Sequence, residues 1–226
     1  MKDEKQISLG RSFSLRPSSL ALGRRWPAYA LGLFFGLVIV AGGLGFYTGL
    51  LGDNFREVSP HKCYRSGQLS PIALRRYVQG YGIRCVVSLR GGSSRAAWYR
   101  DELQVCQELG CEHAAFNANL NHLMEPREVD GLVARLEQGP YPMLLHCREG
   151  ADRAALGSVL YLMVVEHKTL DEALAAALTW RYGHVRIGRA AVIDEFFELY
   201  RATAEGKDIK AWIKEVYPKL YLKRKY

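Results

Sequence analysis

No two of the five cysteines stand at CxxC spacing, so nothing in their pattern marks a thiolate metal site. The chain also lacks internal repeats and low-complexity tracts, which excludes solenoid and fibrous architectures. Acidic residues are scarce at the start: before Gly52 there are only Asp3 and Glu4, against Lys2, Lys5, Arg11, Arg16, Arg24 and Arg25. Half of the net charge of +8 therefore lies in this first segment, which argues against a broad nucleic-acid surface on the rest. The remaining excess suits an anionic membrane surface or a phosphorylated substrate. At 226 residues there is room for one ordinary globular domain and a modest appendage, and none for a second enzymatic domain.

What the sequence does have is one long uncharged run, Ala28 to Leu51, of 24 residues. At helical rise this length crosses a hydrocarbon core, so a transmembrane helix is expected over 28–51. A cleaved signal peptide is the alternative, with a shorter apolar region and a small-residue cleavage site. The cations precede the run and Asp53 and Glu57 follow it, which puts the N-terminus in the cytoplasm and the large C-terminal domain in the periplasm or outside the cell. Gly32 with Gly36, and Gly45 with Gly49, have the spacing that lets two helices approach, and a weak homodimer through the span follows as an expectation. In such an oxidising space four cysteines could pair and leave Cys147 free. Cys106 and Cys111 are near enough in sequence to be bridged, while Cys85 lies in an apolar run that suits a buried thiol.

The expected organisation is a disordered basic tail over 1–27, the span, a linker over 52–61 and a domain over 62–226. Within the domain, strand-like and helix-like segments alternate. Lys62 to Arg65, Ile83 to Leu89, Glu112 to Phe116 and Tyr141 to His146 read as strands. Helices are expected from Pro71 to Gly80 behind Ser70 as cap, from Ala96 to Leu109, from Pro126 onward with Val129, Leu132, Val133 and Leu136 on one face, and from Arg153 to about His167, with two more beyond. Such alternation predicts an α/β domain with a central, mostly parallel sheet flanked by helices.

The chemistry is carried by His146-Cys147-Arg148-Glu149-Gly150-Ala151-Asp152-Arg153, which follows a buried strand and opens a helix. An α/β sheet usually holds its ligand at such a point. A loop of this size can aim its backbone N–H groups at a tetrahedral phosphate, with the helix N-terminus adding positive potential that also favours a thiolate at Cys147. Arg153 can return to the rim and bind two phosphate oxygens with its planar fork, and Gly150 permits close backbone approach.

His-Cys-x-x-Gly-x-x-Arg resembles the signature of the protein tyrosine phosphatase superfamily. The likeness is closest to its compact bacterial dual-specificity-like branch and extends to Tyr64-Arg65-Ser66-Gly67-Gln68, Gly82-Ile83-Arg84, Val86 to Arg90 and Arg181-Tyr182-Gly183-His184. The resemblance implies the cysteine phosphatase fold, no metal or other cofactor, and two-step hydrolysis of phosphomonoesters. Cys147 would be the nucleophile and Arg153 the phosphate clamp. Arg148, Glu149, Gly150 and Ala151 would form the phosphate-binding loop, with His146 in support. Substrates of this kind are phosphotyrosine, phosphoserine or phosphothreonine proteins, or a phosphorylated lipid or envelope saccharide.

The sequence departs from the family pattern twice. Ala154 stands where many members carry Ser or Thr, and the stretch Phe116 to Pro126, where a general-acid Asp is usual, holds no Asp. Asp152 is the expected substitute, as in myotubularin-type phosphatases, with Glu125 as rival. Asp152 could equally be a structural carboxylate, and Glu125 a helix cap. Arg90 either lines the cleft or makes a surface ion pair. The two departures leave a second reading open, a catalytically weak phosphate-binding module that senses or scaffolds a phosphorylated partner.

Overall fold

A computed structural model describes residues 29–40, 53–186 and 188–225. The chain divides into two units, Met1–Leu44 and Gly45–Tyr226. In the first, residues 29–40 form helix α1, exposed along its length. Among the described residues no helix is long and apolar enough to cross a membrane. The tail at 1–27 and the rest of the expected span, residue 28 and residues 41–51, lie outside the described residues.

The second unit is built on a five-stranded sheet in the order β1-β2-β5-β3-β4. Its strands are β1 Arg56–Ser59, β2 Cys63–Ser66, β3 Cys85–Ser88, β4 Glu112–Ala115 and β5 Met143–His146. Three pairings are parallel and only edge strand β1 is antiparallel, so the sheet is mostly parallel as the alternation predicts. Helices α2 Pro71–Tyr81, α3 Ala97–Leu109, α4 Pro126–Gln138 and α5 Asp152–Val164 connect and cover the strands. Ser70 caps α2 by accepting from the Ala73 amide at 3.2 Å, and Gly82 and Gly110 end α2 and α3 in the left-handed conformation.

Strand alternation sorts the core into two layers. Tyr64, Val86 and Leu144 face one side, against Leu74, Val78, Val105 and Cys106 of α2 and α3. Cys85, Val87, Met143 and Leu145 face the other, against Val129 and Leu132 of α4 and Leu156 and Val159 of α5. Helix α5 lies so close to the sheet that a Cβ at Gly157 would stand 2.8 Å from Leu89 Cδ1.

Two expectations need correction, and the cysteine pairing left open is answered. Residues 52–61 are not a free linker: they contain β1, a short, largely exposed edge strand whose polar sequence lacks an apolar alternation. The C-terminal part holds four helices rather than two, α6 Leu170–Ala177, α7 Ala191–Thr203, α8 Ile209–Glu215 and α9 Tyr217–Lys225, plus 3-10 turns at Trp180–Tyr182 and Gly188–Ala190. Finally, all five cysteines are free and buried. Cys63 and Cys85 both align with Met143, so β5 separates them. Two strand spacings are ~9.6 Å, beyond the ~7 Å Cα separation that a disulfide tolerates.

Candidate active site

In a parallel sheet all strands end at the same edge, so the residues that follow them are gathered there whatever their separation in sequence. Ser66, Ser88 and His146 stand in one register row. Gly67 and Gln68 leave β2, Leu89 and Arg90 leave β3, and Cys147 leaves β5, all at that edge. Arg90 is held there by an antiparallel bridge to Asn117.

Cys147 is buried, and the Gly150 amide donates to its Sγ at 3.2 Å. Among the described residues no protein acceptor takes the amides of Arg148, Glu149, Ala151 and Asp152. Gly150 has φ +71°, and a Cβ on it would stand 2.5 Å from the Gly67 amide nitrogen. Only glycine fits. Arg153 Nε is buried and has no partner. An unpaired buried donor is costly in a protein, and here Arg153 Nε and loop amides without a protein acceptor belong to the loop that carries the sulfur, which suits an anion.

Below the loop, Arg65 is almost wholly buried. Its Nη2 donates to the carbonyls of Gly150 and Ala151 at 2.7 Å each and its Nη1 to that of Ala177 at 2.7 Å. The guanidinium stacks over Tyr182 at 4.6 Å. Burial lowers it to about 10, with Cys147 and Tyr182 opposing, so it stays charged at neutral pH. Asn54 Nδ2 adds bonds to the carbonyls of Glu149 and Tyr182 at 3.1 and 3.3 Å. Turning these carbonyls outward and down leaves the N–H groups facing inward.

His146 donates from Nε2 to Glu102 at 3.1 Å, His113 to the same oxygen at 2.8 Å, and Gln68 to the other at 2.7 Å. Burial alone would raise the carboxyl of Glu102, but His146, His113 and Gln68 outweigh it and hold the group well below the usual carboxylate range. His146 is thus bound to Glu102, a residue the sequence reading did not single out.

The structure gives Asp152 a partner 32 residues away: its Oδ1 meets His184 Nδ1 at 2.8 Å. His184 meets Asp194 with its other nitrogen at 3.2 Å. Burial works against the charged imidazole, yet the two carboxylates prevail and raise its pKa. His184 thereby ties the segment Arg181 to His184 to the start of the helix that follows the loop. Arg148 and Glu149 pair with one another at 3.2 Å on the exposed side. Glu125 is the exposed N-cap residue of α4 and makes no side-chain cap bond. Among the described residues Arg90 makes no ion pair. It lies 3.9 Å over Trp98 and donates to Gln68 at 2.8 Å. Sequence reasoning named Tyr64 to Gln68 only as a family-like stretch, and the roles of Arg65, Gln68, Glu102 and Asn54 carry no local signal.

No curated protein matches the sequence. Among solved structures, PTPMT1 is similar at 18% identity, covering 66% of this chain and 98% of its own, with a TM-score of 0.50. The core catalytic domain of the PP-IP phosphatase SIW14 from S. cerevisiae is similar at 14% identity, with 69% and 94% covered and a TM-score of 0.50. Tk-PTP is 19% identical, with 66% and 97% covered and a TM-score of 0.50. These cysteine-based phosphatases share the α/β fold. The model of the tyrosine phosphatase family matches residues 44–172, more than half of the sequence and all of the loop, and the chain belongs to that family.

Proposed function

We propose that the protein hydrolyses phosphomonoesters through a cysteinyl-phosphate intermediate, with Cys147 as nucleophile and Arg153 as clamp. The observation that carries this reading is a set of donors without protein acceptors, the loop amides and the buried Arg153 Nε, on the same short loop as a thiol that itself accepts an N–H. The thiolate attacks phosphorus, the S–P bond forms as the P–O bond to the leaving group breaks, and the leaving oxygen takes a proton. Water then attacks phosphorus, returning the thiolate and releasing inorganic phosphate. Arg153 and the amides neutralise charge on the non-bridging oxygens throughout. The donor of that proton is Asp152, through its oxygen not committed to His184 and against the pull of the protonated imidazole, or its rival Glu125.

The substrate is a phosphoprotein, in the dual-specificity manner, or a phosphate ester of a membrane lipid or envelope saccharide. A single span over 28–51 would hold the domain outside the cytoplasm, supported by the uncharged run and by helix α1 within it. A weak dimer through the span belongs to the same reading. An outside-active reporter fused after Tyr226 is expected to be active, and activity only from a cytoplasmic reporter would reverse the topology. The binding-module reading retains one observation in its favour, the occupation of Asp152 by His184.

Turnover of an aryl phosphate by the full chain decides between them. Cys147→Ser is expected to lower it by ~10³-fold or more while phosphate still binds, because an alcohol is a far poorer nucleophile. Equal rates in both proteins would remove the mechanism. Asp152→Asn should slow alkyl phosphates far more than esters with good leaving groups. A leaving-group-dependent loss in Glu125→Gln instead would move the proton to Glu125.

A further inference from the structure

Arg90 is a site arginine without a counter-ion. Among the described residues no carboxylate pairs with it: its face rests on Trp98 and its Nη1 reaches the uncharged Gln68 Oε1 at 2.8 Å. That orientation is imposed from below. Glu102 is ionised and can only accept, so Gln68 must turn its NH2 toward Glu102 at 2.7 Å and present its oxygen to Arg90. The backbone amide of Arg90 lies 3.4 Å from Ser88 Oγ, at the end of β3. Burial, followed by the neighbouring positive charges of Arg153 and Arg148, lowers the proton affinity of Arg90, whereas Cys147 and Glu102 oppose this. Arg148 is paired with Glu149 on the exposed side, whereas Arg90 is joined to the loop through Gln68, whose backbone amide donates to the Arg148 carbonyl at 3.0 Å, so an anion held by the loop has Arg90 as a further cationic neighbour.

One phosphate does not use all of this. Arg153 can take two non-bridging oxygens with its fork, and the loop amides serve the same oxygens from below. Arg90 stands beside them as a further donor. We propose that Arg90 selects substrates carrying a second anionic group, phosphate or carboxylate, next to the ester that Cys147 attacks, and that Gln68 is the positioning residue that aims it. The stacked, half-buried guanidinium offers a preorganised fork, which a flexible surface lysine would not.

This inference rests on the phosphatase reading, and binding to the Cys147→Ser protein separates the two. The probes are phenyl phosphates bearing a carboxylate at the ortho, meta or para position, each compared with the neutral carboxamide of the same shape. Titration calorimetry on the full chain with Cys147→Ser should show at least one carboxylate bound about tenfold more tightly than its carboxamide, an advantage that shrinks as salt rises. In the active protein the same preference should appear chiefly in KM. Adding Arg90→Gln should erase the ratio, Arg90→Lys should restore part of it, and Gln68→Leu should reduce it with Arg90 still charged. No carboxylate preference at any position, or a loss in Arg90→Gln that is equal for both series, would overturn the proposal. Selective binding without turnover by the active protein would support the role of Arg90 and sink the hydrolase instead. The second anion's identity then follows from repeating the comparison with aryl bisphosphates.

Discussion

At the scale of single residues the site depends on two positions that have no catalytic chemistry. Gly150 combines a left-handed backbone with contact to the next strand end, and a Cβ there would stand 2.5 Å from Gly67 N and 2.6 Å from Ser66 C. Both are backbone atoms and cannot swing aside. Gly150→Ala is expected to cost at least about 2 kcal/mol in urea unfolding and to abolish phosphate binding. Glu102 is the second position. Its carboxyl is depressed on folding, so its contribution is present above the unfolded value near about pH 4 and is lost as pH falls toward the lower folded value. In Glu102→Gln this acid-side loss should flatten. At neutral pH the variant should be less stable by about 2 kcal/mol, since hydrogen bonds to a charge are replaced by bonds to an amide. An unchanged slope below pH 4 would show that Glu102 is not the group that titrates.

At the scale of elements, helices differ in what holds them. Helix α6 is short, and it is opened by a capping box: Thr169 and Glu172 exchange bonds, with Thr169 N reaching Glu172 Oε2 at 2.9 Å. Thr169→Ala should cost about 1 kcal/mol, read as a fall in Tm, and should spare the site. The N-terminus of α5 is held otherwise, by His184 bridging Asp152 and Asp194 of α7. The pKa of His184 is raised on folding. Its stabilising effect is therefore complete below the unfolded value of about 6.5 and fades as pH rises through the higher folded value. Stability measured across that alkaline window should decline in the wild type and decline less in His184→Gln. Equal slopes would assign the bridge to a neutral imidazole.

At the scale of the whole molecule, the C-terminal helices close one side of the catalytic unit. Tyr217 is fully buried, its hydroxyl donates to the Met124 carbonyl at 2.5 Å, and its ring stands 5.1 Å from both Phe196 and Trp212. Edge-to-face and tilted aromatic contacts of this kind add to area burial. Tyr217→Ala should cost about 3–5 kcal/mol, comparable with a large part of the stability of a domain of this size. A loss within error of zero would show that α9 is an appendage. The result also bears on α4, because Met124 precedes it and links the stretch expected to hold a general acid to the C-terminal cluster.

The sequence by itself determined whatever depends on neighbours along the chain. The apolar runs that became β3 and β5, the caps Ser70 and Gly110, the face Val129-Leu132-Val133-Leu136, and the loop from His146 to Arg153 are all readable because strand and helix periodicities and turn chemistry are local, although the stop expected at Gly80 falls at Gly82. Strand β1 was not readable, since four residues of an exposed edge carry almost no periodicity. The capping box at Thr169 and the cap at Asp208 were present in the sequence as local signals for the extra helices. Only the tertiary structure decided the rest. By placing β5 between β2 and β3 it kept Cys63 from Cys85 and brought Gln68, Arg90 and Cys147 to one edge. It also set Arg65 beneath the loop, Glu102 behind His146 and His184 against Asp152. These partners lie between 32 and 86 residues apart in sequence. Their meeting is dictated by sheet register and helix docking, and no spacing along the chain encodes it.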